Sequence, residues 1–115
     1  MKQFETKYGY FEKEEYVIKT YKTPKPWVNV VSNGKYGFVV SQTGGGFSWD
    51  THSEFNRLNR WHQDMIQDNW GKYFYLKNNK SGEIWSPTWQ PVRKELDKYE
   101  AHYGTGYVLF SSEYK

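Results

Sequence analysis

The chain has 115 residues, a formal net charge of +3 and no cysteine. This length suits a single domain, and the lack of cysteine excludes disulfides, thiolate zinc sites and cysteine nucleophiles. Basic and acidic residues are mixed along the chain without a long run of one sign, which argues against a nucleic-acid or membrane partner.

The first third of the chain has the pattern of antiparallel hairpins. Residues 8–11 and 15–20 are short aromatic and β-branched runs on either side of a charged turn, which predicts a first hairpin. Residues 23–27, TPKPW, contain two prolines that cannot donate to a sheet, so a loop or edge crossing is predicted there. Residues 28–31 and 36–42 flank an Asn-Gly pair, which predicts a tight hairpin.

The hydrophobic period then changes. Phe55, Leu58, either Trp61 or His62, and Met65 follow one another at spacings of three or four, as on one face of a helix. This spacing predicts a short helix near residues 53–65.

The last third returns to the strand pattern. Residues 72–77 and 83–86 are aromatic or β-branched runs joined by NNKSG, which predicts a hairpin with a longer turn. Residues 96–103 and 106–112 predict two further strands joined at a glycine-containing turn. The fold class expected from the residues is therefore all-β and antiparallel.

Composition predicts an aromatic core and a cytoplasmic protein. The chain contains 6 Trp, 11 Tyr and 7 Phe, and each ring buries a large area on folding. Its first residues, MKQFETKYGYFEKEEY, lack the apolar region of a secretory signal, so we expect a cytoplasmic location.

The stretch SQTGGGFSWD sets Gly44, Gly45 and Gly46 directly before Phe47 and Trp49. Glycine is costly in ordered structure, so these positions need either positive φ or a bare backbone. Two interpretations remain open. One is a tight β connection beside core aromatics. The other is a surface without side chains, where a ligand approaches an aromatic platform suited to sugar rings or nucleic-acid bases.

Other polar groups offer weaker signals for chemistry. Residues 59–64, NRWHQD, place Arg60 and Trp61 in a dense set of hydrogen-bonding side chains, which suits ligand contact or a solvated edge. Asp64 and Asp68 are most simply solvated surface carboxylates. The histidines lack metal-ligand spacing, so no metal site is expected.

The order of the motifs resembles one enzyme family over nearly the whole chain. The segments that carry the resemblance fit TPxPW, TGGGxS, GxxWSPxWQPV and YExxxGxGY, in this order. Together they are similar to the N-terminal segment of the inverting disaccharide phosphorylases, glycoside hydrolase family ninety-four, formerly glycosyltransferase family thirty-six. Cellobiose, cellodextrin, chitobiose and laminaribiose phosphorylases belong to this family.

The resemblance implies a fold and a division of labour. It implies an antiparallel β-sandwich of the galactose-mutarotase-like super-sandwich type, of which these 115 residues are the first half. In the full enzymes an (α/α)₆ barrel follows, and it carries the general-acid Asp and the phosphate-binding residues. We therefore expect one domain over residues 1–115, without that barrel, and no catalytic residue, cofactor or metal. Inorganic phosphate is the co-substrate of the full-length enzyme.

The resemblance also implies a site and partners. The glycine turn is expected near the sugar site and the dimer interface, with Phe47 lining that site. The residue chemistry described above adds Trp49, Arg60 and Trp61 as candidate contacts with carbohydrate. The expected partners are a β-glucoside oligosaccharide, a second copy in a homodimer, and the catalytic domain in cis or in trans. A free-standing carbohydrate-binding module is the alternative, and a single-stranded nucleic-acid binder is a distant third.

A half-sandwich leaves open edges. The strands around residues 36–42 and 107–110 are expected to expose apolar faces and unpaired edges. Such edges favour association through a two-fold contact.

Overall fold

The computed structural model describes residues 1–59 and 71–115, and every regular element in these ranges is a β-strand. The predicted all-β class is therefore confirmed. The strands are β1 (Gly9–Glu12), β2 (Glu15–Ile18), β3 (Val28–Ser32), β4 (Tyr36–Ser41), β5 (Gly46–Asp50), β6 (Leu76–Lys77), β7 (Ile84–Trp85), β8 (Lys98–Gly104) and β9 (Tyr107–Glu113).

The described strands form two sheets and one separate hairpin. The first sheet has the order β1-β2-β8-β9, the second has the order β3-β4-β5, and β6 pairs with β7. All neighbouring strands are antiparallel. The hairpins predicted from the sequence are confirmed, although β6 and β7 each have only 2 residues.

Both faces of the first sheet carry buried side chains, with Tyr10 and Val17 on one face and Ile18, Tyr99 and Ala101 on the other. Aromatic rings contribute to the core, as predicted. Ile18 and Ala101 are fully buried and lie opposite each other in β2 and β8. The ring of Tyr99, on the same face as Ala101, meets Tyr21 edge-on. Tyr21 in turn stacks on Trp89, with ring centroids 3.8 Å apart. A few aliphatic side chains thus form the centre, and aromatic rings close around it.

The predicted helix near 53–65 is wrong where the structure describes it. Residues 53–59 form turns and a single bridge. His52 caps a single turn, since its Nδ1 accepts hydrogen bonds from the backbone nitrogens of Glu54 (3.1 Å) and Phe55 (3.2 Å). The chain then pairs with β5 instead of continuing as a helix, because the Leu58 nitrogen donates to the Ser48 carbonyl (2.8 Å). The rest of the predicted helix lies outside the described residues.

In the described ranges, no helix has the length and apolar character that crossing a membrane requires.

One of the two predictions of an open strand edge is also wrong. The strand around 36–42 is central, because β4 pairs with β3 on one side and with β5 on the other. The edge around 107–110 is present, since β9 is a terminal strand of the first sheet in the described part of the chain. Tyr107 and Leu109 are exposed on this strand.

Backbone packs directly on backbone at the start of β5. Gly46 has a φ of +146°, and a Cβ atom there would overlap the carbonyl oxygen of Val39. Gly71 approaches the same residue, because a Cβ atom on Gly71 would lie 2.7 Å from the Gly46 nitrogen. Only glycine fits such contacts.

A polar network joins three strands on the opposite face of the first sheet. Glu15 in β2 lies 3.0 Å from His102 Nδ1 in β8 and accepts a hydrogen bond from the Tyr107 hydroxyl in β9. His102 Nε2 lies 3.9 Å from a carboxylate oxygen of Glu100. The Tyr107 hydroxyl, and then His102, hold the pKa of Glu15 below its ordinary value.

Replacement of Gly46 by alanine should destabilise the chain far more than the same change at an open glycine. Gly82 also has positive φ, +77°, but nothing lies within 4 Å of its Cβ position. We expect Gly82→Ala to cost roughly 1–2 kcal/mol for backbone conformation alone. Gly46→Ala should cost about 3 kcal/mol or more, because overlap is added to the strain. Urea unfolding followed by circular dichroism measures both, and equal losses would contradict the close packing.

The Glu15 network should stabilise the fold at neutral pH and lose this effect in acid. A carboxyl group whose pKa is lowered by folding stabilises the folded state above its unfolded pKa, about 4.3 for glutamate. That contribution is lost as the pH falls below this value and through the folded pKa. The free energy of unfolding of the wild type should therefore exceed that of Glu15→Gln at pH 7, and the difference should shrink below pH 4. A difference that stays constant between pH 7 and pH 3 would show that the charge of Glu15 contributes nothing.

Candidate functional site

The glycine turn between β4 and β5 is closed by its own backbone. The Ser41 nitrogen donates to the Gly45 carbonyl (2.7 Å), and the Gly44 nitrogen donates to the Ser41 carbonyl (3.0 Å). The Ser41 hydroxyl accepts from the Gly45 nitrogen at 3.1 Å. The turn is therefore a tight β connection, as the first interpretation of the glycines has it. The approach of a ligand to this turn, which is the second interpretation, stays a prediction.

The segment GEIWSPTWQPV packs against one side of the turn and is hydrogen-bonded to it. The Gln90 nitrogen donates to the Thr43 carbonyl (3.0 Å), and Gln90 Nε2 donates to the Thr43 hydroxyl (3.2 Å). The Tyr73 hydroxyl donates to Gln90 Oε1 (3.3 Å). Gly44, with φ +91°, packs against Thr88, since a Cβ atom there would lie 2.7 Å from the Thr88 Cβ. The side chain of Gln90 thus binds protein groups through both of its polar atoms.

The segment TPKPW is held from the other side by Gln42. The Gln42 side chain accepts from the Trp27 nitrogen (2.9 Å) and donates to the Thr23 hydroxyl (2.6 Å) and the Tyr21 carbonyl (3.2 Å). The Tyr99 hydroxyl, from the motif that begins YE, donates to the Gln42 carbonyl at 2.5 Å. Segments that are far apart in sequence therefore meet at one buried turn.

Sequence reasoning missed the polar members of this cluster. Gln42, Thr43 and Gln90 are buried. The sequence prediction named only the glycines and the aromatic residues that follow them. The available signal was the presence of amide and hydroxyl side chains inside otherwise aromatic and glycine-rich motifs.

Phe47 and Trp49 lie together at the start of β5, as the sequence suggested, but their exposure differs from that of a flat platform. Phe47 is only 8% exposed. The guanidinium carbon of Arg57 lies 4.9 Å from its ring centroid, within the range of a cation–π contact. The Trp49 ring is 5.7 Å from that of Phe47 and covers Gly37. Trp49 and Arg57 therefore form the outer layer of this cluster.

Arg60 and Trp61 lie outside the described residues, as do His62, Asp64 and Asp68. The residue before them is held at the turn, because Asn59 Nδ2 donates to the Gly46 carbonyl (3.0 Å) and Asn59 Oδ1 accepts from the Ser48 nitrogen (2.9 Å). Within residues 1–59 and 71–115, no three His, Asp or Glu side chains are grouped as a metal site requires.

Comparison with known proteins matches residues 14–115 to the glycosyl hydrolase 94 supersandwich domain. The chain is 39% identical over 112 residues to the N,N'-diacetylchitobiose phosphorylase of Vibrio furnissii, an alignment that covers 94% of this chain and 14% of that protein. It is 38% identical over 101 residues to a 3-O-beta-D-glucopyranosyl-beta-D-glucuronide phosphorylase of Paenibacillus borealis, covering 86% of this chain and 12% of that protein.

A cyclic beta-(1,2)-glucan synthase of Rhizobium meliloti is 34% identical over 90 residues, covering 78% of this chain and 3% of that protein. The chain thus spans a small part of the length of each of these relatives. The family predicted from the ordered motifs is confirmed. The chain belongs to the glycosyl hydrolase 94 family, whose supersandwich domain matches nearly its whole length.

Proposed function

We propose that the chain is the N-terminal structural and carbohydrate-contacting portion of an inverting phosphorylase of β-linked glucosides, of the cellobiose or cellodextrin type. The rest of such an enzyme supplies the catalytic domain, the general acid and the site for inorganic phosphate, which is the co-substrate. This chain helps to close the sugar site and performs no chemistry of its own.

The observation that carries the proposal is the hydrogen bonding at the glycine turn. A polar side chain that acts on a substrate needs an atom directed at that substrate. The amides of Gln42 and Gln90 instead bind Thr23, Trp27 and Thr43 within the protein. Because these groups hold the protein together, the geometry supports a scaffold rather than a catalytic centre.

The layer above the turn supports a contact with sugar. Trp49 offers a large ring, and the Arg57 guanidinium lies beside it over Phe47. Such pairing of an aromatic ring with charged donors suits the apolar and hydroxyl faces of a pyranose ring. Asn59, which precedes Arg60 and Trp61 in the sequence, bonds to the Gly46 carbonyl at the start of β5. We propose that the sugar contacts Trp49 directly, with Phe47 beneath it, and that Arg60 and Trp61 contribute further contacts on the basis of their side-chain chemistry.

Sugar binding without turnover is the expected behaviour of the isolated chain. Titration with cello-oligosaccharides and with N,N'-diacetylchitobiose should change tryptophan fluorescence at millimolar sugar. Trp61→Ala should weaken binding by roughly 1–3 kcal/mol, the magnitude known for stacking of bases on aromatic rings. Phe74→Ala, at an aromatic residue that is 76% exposed in the segment before β6, is the matched control and should bind as the wild type does.

The same samples test the absence of chemistry. Incubation with a sugar 1-phosphate and an acceptor sugar should release no phosphate. Measurable turnover would show that the chain carries catalytic groups. A fluorescence signal that stays constant at millimolar sugar would remove the carbohydrate contact from the proposal.

We further propose that the chain forms a two-fold homodimer through β9. This strand has 7 residues, terminates the first sheet in the described ranges and exposes Leu109. Unpaired apolar edges of this kind pair readily with a second chain, and a charged residue on the edge prevents this. Sedimentation should show a dimer for the wild type and a monomer for Leu109→Lys. Leu76→Lys, at an exposed leucine of β6, is the control and should remain a dimer. A wild type that stays monomeric at high concentration would contradict the dimer.

A further inference from the structure

A chain of hydrogen bonds runs from the side chain of Gln90 to the backbone of the glycine turn. Gln90 Nε2 donates to the Thr43 hydroxyl (3.2 Å), and the Thr43 and Ser41 hydroxyls share a hydrogen bond at 3.1 Å. The Ser41 hydroxyl also accepts from the Gly45 nitrogen (3.1 Å). A side chain in the segment GEIWSPTWQPV is therefore connected, through two hydroxyls, to the middle glycine of the turn.

The polar side chains in this chain of bonds are buried by the protein itself. Ser41 is fully buried, and Gln90 and Thr43 are 3% and 5% exposed. Any polypeptide that packs on the surface can only bury them further. The bonds are therefore independent of what covers the chain from outside, and a buried polar group that loses its partner is costly.

Gln90 is held in place by bonds other than the one that leads to the turn. Its backbone nitrogen donates to the Thr43 carbonyl (3.0 Å), and its backbone carbonyl accepts from the Thr88 hydroxyl (2.7 Å). Its Oε1 accepts from the Tyr73 hydroxyl (3.3 Å). Thr88 also packs against Gly44. Gln90 is thus a fixed support against which the turn can be oriented.

The turn needs such a support because its own residues are glycines. Glycine has the widest backbone freedom of any residue, so three in succession keep one conformation only where other groups hold them. The bond from Gly45 to Ser41 is one of those restraints. Strand β5 begins at Gly46, and Phe47 and Trp49 follow in it. The conformation of the turn therefore sets where these two aromatic residues enter the strand.

We propose that Gln90 is a positioning residue for sugar binding, which acts through the Thr43 and Ser41 hydroxyls on the glycine turn. This rests on the proposed function, in which the sugar contacts Trp49 beside the turn. A binding site needs its contact residues held in the productive geometry by a supporting layer of packed and hydrogen-bonded groups. Without the Gln90 donor the turn populates other conformations, and the apparent affinity for sugar falls by the fraction that remains competent.

Thr43 offers the sharpest test, because valine keeps its shape without the hydroxyl and serine keeps the hydroxyl. Thr43→Val and Gln90→Met should each weaken binding of the same sugars about twofold to tenfold, the loss expected for one hydrogen bond. In the isotope-labelled chain, both should shift the NMR amide signal of Gly45 and speed its exchange. The double variant should lose little more than either single variant, because both changes interrupt one chain of bonds.

Two control variants separate positioning from stability. Thr43→Ser should bind sugar as the wild type does, since it retains the hydroxyl. Val17→Ala removes buried apolar surface from the face of the first sheet that lies away from Tyr99. It should lower the stability to urea, yet leave the Gly45 signal and the affinity for sugar unchanged.

The outcomes distinguish this inference from the proposed function. A wild type that binds no sugar contradicts the proposed function, and the inference falls with it. A wild type that binds sugar, together with unchanged affinity or an unchanged Gly45 signal in Thr43→Val, overturns the inference alone. Additive losses in the double variant, or an equal loss of affinity in Val17→Ala or Thr43→Ser, also overturn it. If Gln90→Met does not fold, the comparison of Thr43→Val with Thr43→Ser decides the question.

Discussion

The fold depends on the hydrogen bonds by which Gln42 holds the segment TPKPW beside β4, where a regular strand would otherwise pair. The segment TPKPW lies beside the end of β4, but its prolines lack the N–H groups that a ladder needs. Gln42 supplies partners from one residue: its backbone nitrogen donates to the Trp27 carbonyl (3.1 Å), and its side chain binds Trp27, Thr23 and Tyr21. An unsatisfied buried polar group costs about 1–3 kcal/mol, so these bonds stabilise one position of the loop over others.

Two of the three glycines, Gly44 and Gly46, follow from this arrangement. Once Gln42 and Tyr99 fix the end of β4, the turn must pass between Thr88 on one side and the backbone of Gly71 on the other. No space for a side chain remains at Gly44 or Gly46. Strand β5 then starts inside the protein, which explains why Phe47 is buried and why Trp49 and Arg57 form the outer layer. Glycine at these positions is thus required first by the protein's own packing.

Most of the strands could be predicted from local sequence, whereas the contacts between distant segments could not. The Asn-Gly pair before β4 and Gly106 between β8 and β9 encode their turns within a few residues. The pairing of Tyr16 with Tyr103 joins β2 to β8, and neither segment carries a sign of the other. The helix prediction failed because the backbone of residues 56–58 bonds to β5, a contact that periodicity does not detect. At the site, the sequence indicated the glycines and the rings, but burial of Phe47 depends on Arg57.

The glycine turn is joined through one pair of residues to an apolar groove, which is lined by Trp27, Tyr16 and Tyr103 among others. Trp27 lines the groove with its ring, while its backbone nitrogen and carbonyl both bind Gln42. Gln42 directly precedes Thr43, whose backbone and hydroxyl bind Gln90. The two surfaces therefore have a fixed geometry relative to each other, since no flexible segment separates Trp27 from the turn. In a domain with few aliphatic residues, hydrogen bonds between buried amides and hydroxyls give the rigidity that aliphatic packing gives elsewhere. The proposed role in closing a sugar site requires such rigidity, because a scaffold that yields does not hold a site closed.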